Sequence, residues 1–193
     1  MYKGLIIILS LLTFSCTQKN YKDPHIIIET EYGDIEVELY PAKAPKTVAA
    51  FLTYIDAGLF KKSSFYRVLK NDNVPEEYNS GLIQGGIFKM NPSSQSQLKG
   101  IEHESPKQTG LSHVSGIISM ARTTPGSATS EFFICIGDQQ QFDSSSGGNY
   151  DGLGYAAFGK VFKGMKVARL IQNKKSNGEN FEPPIKIISI KKL

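Results

Sequence analysis

Short strand-like runs separated by polar turns dominate this sequence, and they restrict the fold more than any other feature. The clearest one, Asp34 to Leu39, alternates apolar Ile35 and Val37 with acidic residues, a period of two that is typical of a strand with one buried face. Many short strands of this kind indicate a closed antiparallel barrel or a β-sandwich. The other runs are His25 to Thr30, Ser64 to Leu69, Leu82 to Gln84, Gly116 to Ala121, Phe132 to Ile136, Tyr155 to Phe162 and Ile185 to Lys191.

Only two segments have helical periodicity. The first begins near Pro45, places Val48 and Phe51 on one face, and stops before Gly58. A second, shorter helix is expected near residues 165–173. So few helices disfavour a parallel sheet built from βαβ units.

The run from Phe132 to Ile136 is apolar at every position. Side chains in a strand alternate between faces, so Phe132 and Ile134 point one way while Phe133 and Cys135 point the other. A barrel wall whose inner face is core, and whose outer face is the floor of an apolar groove, accounts for apolar groups on both sides.

The first residues have a different character. Lys3 is followed by an almost wholly apolar segment, Gly4 to Leu12, which is too short to span a bilayer and fits the apolar region of a secretory signal. It ends in Thr13-Phe14-Ser15-Cys16, which resembles a bacterial lipobox, where the Cys becomes the lipidated first residue. We therefore expect a protein anchored to the membrane by a lipid on Cys16, in the bacterial cell envelope and facing the periplasm. The alternative is an ordinary signal peptide with an incidental Cys.

The expected organisation is a signal peptide over residues 1–15, a lipid-anchored tether over 16–24 and one domain over 25–193. Cys16 and Cys135 are the only cysteines, so with Cys16 lipidated we expect no disulfide and a buried Cys135. Basic residues number 22 against 18 acidic ones and are scattered, which gives no support for nucleic-acid binding.

Motifs for metal, nucleophilic or cofactor chemistry are missing from the sequence. The three histidines lack metal-ligand spacing, so we expect no metal site. The sequence has no Gly-x-Ser-x-Gly elbow, no phosphate-binding glycine loop and no dinucleotide fingerprint. An enzyme with this sequence would work without a nucleophile or a cofactor.

Five segments in sequence order carry a resemblance to a known family. They are Ser64 to Val68 (SFYRV), Ile83 to Gly86 (IQGG), Gly116 to Ala121 (GIISMA), Ser130 to Ile134 (SEFFI) and Ala157 to Val161 (AFGKV). Together with APKTVAAF on the first helix, they resemble the cyclophilin-type peptidyl-prolyl cis-trans isomerases over essentially all of residues 26–190. The resemblance implies a mainly β fold, a closed eight-stranded antiparallel β-barrel capped by two α-helices, with its active groove on the outside.

The resemblance also implies an activity and a set of site residues. The activity is rotation of Xaa-Pro bonds in proline-containing polypeptides, here exported or envelope proteins, by a protein that we expect to be a monomer. Arg67 would donate to the amide nitrogen, and Gln84 would bind the substrate backbone or steady Arg67. The implied substrate-binding residues are Phe65, Leu82, Ala121, Arg122, Thr123, Glu131, Phe133, Phe142 and Tyr155. For Leu82 and Phe142, a place in the barrel core is the alternative.

Three positions depart from the family pattern. Gly81 stands where a Phe usually lines the pocket, so one wall is either missing or supplied by the insertion over residues 70–81. Glu131 stands where Gln is common and brings a carboxylate within reach of Arg67. Arg122 would make the substrate side of the groove more basic.

Two other functions remain open at this point. One is an anchored peptide-binding module that acts as a chaperone with little isomerase activity. The other is a structural lipoprotein whose barrel presents loops to a partner.

Overall fold

A β-sheet that closes on itself forms the centre of the molecule. The computed structural model describes residues 21–71, 73–145 and 151–193, so the expected signal peptide and Cys16 lie outside the described residues. The strands are β1 (His25–Thr30), β2 (Gly33–Leu39), β3 (Ser63–Leu69), β4 (Gly81–Gly86), β5 (Ile117–Met120), β6 (Phe132–Ile136), β7 (Ala156–Lys163), β8 (Ser176–Asn177) and β9 (Asn180–Lys192). The α-helices are α1 (Pro45–Asp56), α2 (Pro92–Gln95), α3 (Pro106–Thr109) and α4 (Met165–Gln172).

Eight of these strands form the barrel. Neighbouring strands follow the order β1-β2-β7-β5-β6-β4-β3-β9, and β9 returns to pair with β1, which closes the sheet. Every pairing is antiparallel, and closure matches Ile28 of β1 with Ile190 of β9. The two-residue β8 pairs with β9 alone. The predicted fold class, a closed eight-stranded antiparallel barrel with helices, is confirmed.

The barrel interior is filled by the apolar positions that alternation assigns to one face. On the β1–β2 ladder, Ile26 faces Val37 and Ile28 faces Ile35, and all four side chains are fully buried. Helix α1 adds Phe51, whose ring lies 5.6 Å from Phe132 and 5.1 Å from Phe158, measured between centroids. The aromatic residues of α1, β6 and β7 therefore share one core.

The element boundaries differ from the sequence expectations in two places. Strand β9 begins at Asn180 rather than at Ile185, because Asn180 and Phe181 pair with β8 ahead of Pro183 and Pro184. The helices α2 and α3 were not predicted from the sequence, since one turn of helix is too short to show a period. Among the described residues, no helix has the length and apolar character that crossing a bilayer requires.

Helix α1 takes its N-terminal cap from a distant loop. The N-cap residue, Ala44, has no side chain that can accept a hydrogen bond. Glu104 instead accepts from the backbone N–H of Lys46 at 3.0 Å, and from the N–H and hydroxyl of Thr47 at 2.8 and 2.7 Å. A carboxylate at this position satisfies free N–H groups and interacts favourably with the positive end of the helix.

We expect Glu104→Ala to lower the free energy of unfolding by about 1–2 kcal/mol, the usual effect of losing a helix cap. Urea denaturation followed by circular dichroism measures this change. Glu102→Ala is the matched control, because the Glu102 side chain is 71% exposed and pairs with the Lys46 ammonium at the surface. The control should cost less than about 0.5 kcal/mol, and equal losses in the two variants would contradict the capping role.

Candidate active site

A groove of about 310 Å³ lies on the outer face of the barrel, across β3, β4 and β6. The two faces of β6 divide as alternation predicts: Phe132 and Ile134 belong to the main core, whereas Phe133 and Cys135 form a separate apolar cluster with Leu82. The residues that line the groove are Arg67, Leu69, Leu82, Gln84, Ala121, Arg122, Phe133, Phe142 and Tyr155.

Aromatic rings form the apolar part of the groove. The ring of Phe133 lies edge-on to those of Phe142 and Tyr155, each 5.5 Å away between centroids. Leu82 packs on the same cluster rather than in the main core, so Leu82 and Phe142 both lie at the groove. The result is a floor of aromatic and aliphatic side chains against which an apolar ring can pack.

Leu69 supplies the wall that Gly81 lacks. A Cβ atom at Gly81 would lie 2.1 Å from the carbonyl oxygen of Leu69, and its φ of +140° is one that other residues rarely adopt, so no side chain can stand there. The Leu69 side chain lines the groove instead. The wall therefore comes from β3, and none of the described residues between 70 and 81 lines the groove. The sequence signal for Leu69 is its position two residues after Arg67, because residues two apart in a strand share a face.

The Arg67 guanidinium is held on two sides. Its Nη1 donates to Oε1 of Gln84 at 3.0 Å, and Gln84 Nε2 donates to the Tyr66 hydroxyl at 2.8 Å. Its Nε donates to Oε2 of Glu179 at 2.8 Å, and Nη2 lies 2.7 Å from the same oxygen. Of the two roles expected for Gln84, this geometry supports steadying Arg67. The partner Glu179 was missed, because it lies 112 residues along the chain.

A β-bulge determines which residues of β3 reach the groove. The register of β3 against both β4 and β9 shifts between Phe65 and Arg67. In regular alternation these two side chains would share a face, and the extra residue reverses that relationship. Phe65 is fully buried in the main core, 5.9 Å from the Phe132 ring. The expectation that Phe65 binds substrate is therefore wrong.

Glu131 does not contact Arg67. Its Oε1 accepts from the backbone N–H groups of Ile87 and Phe88, at 2.9 and 3.1 Å, and from the Ser130 hydroxyl at 3.0 Å. Burial raises the pKa of the Glu131 carboxyl above its ordinary value, although these donors oppose the change. Glu131 thus holds the chain after β4, and competition between Glu131 and substrate for Arg67 does not arise.

Arg122 is buried and neutralised. Its guanidinium makes two hydrogen bonds to Asp151, at 2.7 and 2.9 Å, and another to the carbonyl of Gly154 at 2.7 Å. The side chain is 2% exposed, and the pairing holds the pKa of Asp151 at about 2. The expected basic character of the groove at Arg122 is therefore wrong, and this residue fixes the loop that leads to Tyr155.

A second cavity adjoins the groove, and the remaining predicted residue, Thr123, lies there. Thr123 lines this cavity together with Glu131, while Ala121 and Arg122 border both spaces. Thr123 is exposed and lies outside the apolar groove. The predicted site residues thus divide between two adjacent cavities, apart from Phe65.

A buried histidine, for which no role was predicted from the sequence, supports the groove floor from behind. The His113 ring stacks on Phe133 at 5.9 Å, its Nδ1 lies 2.6 Å from an oxygen of Asp143, and its Nε2 lies 2.8 Å from the Ser119 hydroxyl. This order resembles a hydrolytic triad, but Ser119 is fully buried, so no substrate can reach its hydroxyl. The network instead fixes Phe133 and the chain beside Phe142. Among the described residues, no group of three or more His, Cys, Asp or Glu side chains is arranged to hold a metal ion.

Comparison with known proteins points to one family. The sequence profile of the family described as cyclophilin type peptidyl-prolyl cis-trans isomerase/CLD matches residues 25–192. The chain is 35% identical over 169 residues to the peptidyl-prolyl cis-trans isomerase of Acinetobacter baylyi, covering 84% of this chain and 82% of that protein. It is 34% identical over 148 residues to peptidyl-prolyl cis-trans isomerase B of Escherichia coli, covering 76% and 83%.

Solved structures show the same fold. A crystal structure of a cyclophilin type peptidyl-prolyl cis-trans isomerase from Cryptosporidium parvum superimposes with a TM-score of 0.68. The two sequences are 24% identical, and the match covers 88% of this chain and 97% of that one.

The buried His113 should make stability depend on pH. Burial lowers its pKa below 6.5, against the opposing effect of Asp143, so the unfolded state takes up a proton before the native state does. The free energy of unfolding should therefore be constant above about pH 7.5 and fall as pH decreases through 6.5, by at most about 1.4 kcal/mol per pH unit for one proton.

Urea denaturation between pH 8 and 5.5 measures this slope, and His113→Asn should reduce it. His103→Asn is the control, because burial also lowers the pKa of His103 but that side chain is only partly covered. A slope that responds more to His103→Asn than to His113→Asn would refute the assignment.

Proposed function

Because this chain belongs to the cyclophilin-type peptidyl-prolyl cis-trans isomerase family, it is an enzyme that rotates Xaa-Pro bonds, and we propose that it does so in the Arg67 groove. The observation that carries this proposal is a guanidinium fixed at the edge of a cavity with an aromatic floor. Its substrates are proline-containing segments of exported or envelope proteins.

The reaction needs no bond to be broken. A planar amide resists rotation by about 18–20 kcal/mol, because conjugation gives its C–N bond partial double-bond character. At the transition state that conjugation is lost, and the nitrogen lone pair becomes localised. A catalyst must therefore favour a twisted, less dipolar amide whose nitrogen can accept a hydrogen bond.

The aromatic part of the groove contributes two effects. Phe133, Phe142 and Leu82 hold the proline ring, so that the carbonyl side of the bond turns while the ring stays fixed. The same contacts remove water from the amide, which weakens the hydrogen bonding that favours its planar, dipolar form.

Arg67 contributes the third effect. A guanidinium remains charged at all physiological pH values and can be held rigidly by neighbouring acceptors. It donates to the proline nitrogen as the lone pair localises, and such a charge-assisted hydrogen bond contributes about 1.5–3 kcal/mol.

A peptide-binding chaperone module would use the same apolar cavity. Such a module has no need of a fixed donor beside the cavity, and the two-sided support of Arg67 favours the isomerase. A structural lipoprotein would need neither the cavity nor the donor.

We further propose that the enzyme acts as a monomer anchored in the envelope through a lipid on Cys16, facing the periplasm. The support is the apolar segment from Gly4 to Leu12 followed by Thr13-Phe14-Ser15-Cys16. The described end of the tether meets the barrel at β1 and β2, where Tyr21 stacks on His25 at 3.6 Å and donates to Glu36 at 2.6 Å. Lipidation at Cys16 would therefore keep the barrel close to the membrane surface.

Arg67→Ala should lower kcat/KM for a proline-containing peptide by about 10- to 100-fold, the rate equivalent of one charge-assisted hydrogen bond. A protease-coupled or NMR exchange assay measures it, with circular dichroism to verify the fold. Arg169→Ala is the control, because that guanidinium bonds the Asn79 carbonyl and does not line the groove. Wild-type activity in Arg67→Ala would remove Arg67 from the mechanism.

The anchor has its own test. Metabolic labelling with a fatty acid in a bacterial host should tag the wild-type chain and leave Cys16→Ser unlabelled, because lipidation requires the thiol. The same label on both proteins, or on neither, would leave an ordinary signal peptide.

A further inference from the structure

Glu179 is the acidic partner of the catalytic guanidinium. It lies in the turn between β8 and β9, and its backbone carbonyl accepts from the N–H of Val68 at 2.8 Å. The turn is therefore fastened to β3 by the main chain as well as by the ion pair. Its side chain reaches Arg67 from the side opposite to Gln84.

The two partners fix the plane of the guanidinium. Gln84 accepts a hydrogen bond from Nη1. Oε2 of Glu179 accepts from Nε and also lies against Nη2. Arginine has five N–H donors. This arrangement leaves one on each Nη atom without a partner among the described residues, at the edge of the cavity that Arg67 lines.

We propose that Glu179 is a positioning residue for Arg67, an inference that rests on the proposed function. A long side chain loses rotamer freedom when it is fixed, and one contact at Nη1 leaves the guanidinium free to pivot. A second contact at Nε and Nη2 stops that pivot before substrate binds. Arg67 is then already ordered before the reaction begins, so the reaction does not have to supply the free energy of orienting the donor.

The exposure of the pair distinguishes positioning from a structural role. The Arg67 and Glu179 side chains are 36% and 57% exposed. Ion pairs with this exposure contribute little to folding, so removing the carboxylate should leave stability nearly unchanged. Solvent also screens the negative charge of Glu179. Its effect on the orientation of the Arg67 donor is therefore larger than its direct electrostatic effect on the reaction.

Glu179→Ala should lower kcat about two- to fivefold with KM unchanged, the range that an exposed ion pair supplies. Glu179→Gln should retain more than half of the wild-type kcat, because the amide oxygen still accepts from Nε and Nη2. Glu31→Ala, an equal change of charge in the exposed β1–β2 turn, is the control and should match the wild type. Unchanged or increased kcat in Glu179→Ala would overturn the proposal.

The double variant separates positioning from an independent effect. In the Arg67→Ala background, Glu179→Ala should cause no further loss, because its partner is already gone. A loss of equal size in both backgrounds would overturn the proposal.

A measurement without turnover keeps the two proposals distinguishable. The Arg67 Nε–H proton, assigned by its loss in Arg67→Ala, should exchange slowly in the wild type and in Glu179→Gln, and rapidly in Glu179→Ala. If this pattern holds while Arg67→Ala isomerises peptide at the wild-type rate, the proposed function fails and the contact stands. If Arg67→Ala is impaired but Nε–H exchange is the same in the wild type and Glu179→Ala, the positioning role fails alone.

Discussion

The pairing of β9 with both β1 and β3 is the constraint on which the rest of this structure depends. Its C-terminal half closes the barrel through Ile28 and Ile190, which removes the free edges that an open sheet would expose. Its N-terminal half runs along β3 and brings the β8–β9 turn against Arg67. One long strand thus closes the core and also sets the position of an acid, Glu179, beside Arg67.

The barrel wall has two apolar faces, one in the core and one at the groove. On β6, Phe132 is anchored in the main core while Phe133 forms the groove floor, so the floor is built on a strand with little freedom to move. The bulge in β3 has the same consequence for Arg67, which faces outward although Phe65 faces inward. These side chains are therefore held in place by the hydrogen-bonded strands that carry them.

Buried polar side chains fix the loops around this wall. Glu104 caps α1, Glu131 holds the chain after β4, Arg122 binds Asp151, and His113 is held by Asp143 behind the floor. Each of these side chains is itself buried and makes these hydrogen bonds within the protein, because a buried polar group without a partner is costly in free energy. Burial also shifts the titration of His113 and Glu131 away from ordinary values. The same network that shapes the groove therefore couples the stability of the barrel to pH.

Alternation and turn residues in the sequence determined a mainly β fold and its first and last helices, because both are local patterns. The resemblance of the Arg67, Gln84 and Phe133 motifs to a known family implied the closed barrel and most of the groove residues. The sequence did not determine where Phe65 and Arg122 point, what replaces the wall missing at Gly81, or which acid pairs with Arg67. Those answers depend on a bulge, on a close approach of two backbones, and on partners such as Glu179 and Asp151 that lie far away along the chain. Only the tertiary structure decides them, because a hydrogen bond depends on distance in space and leaves no period in the sequence.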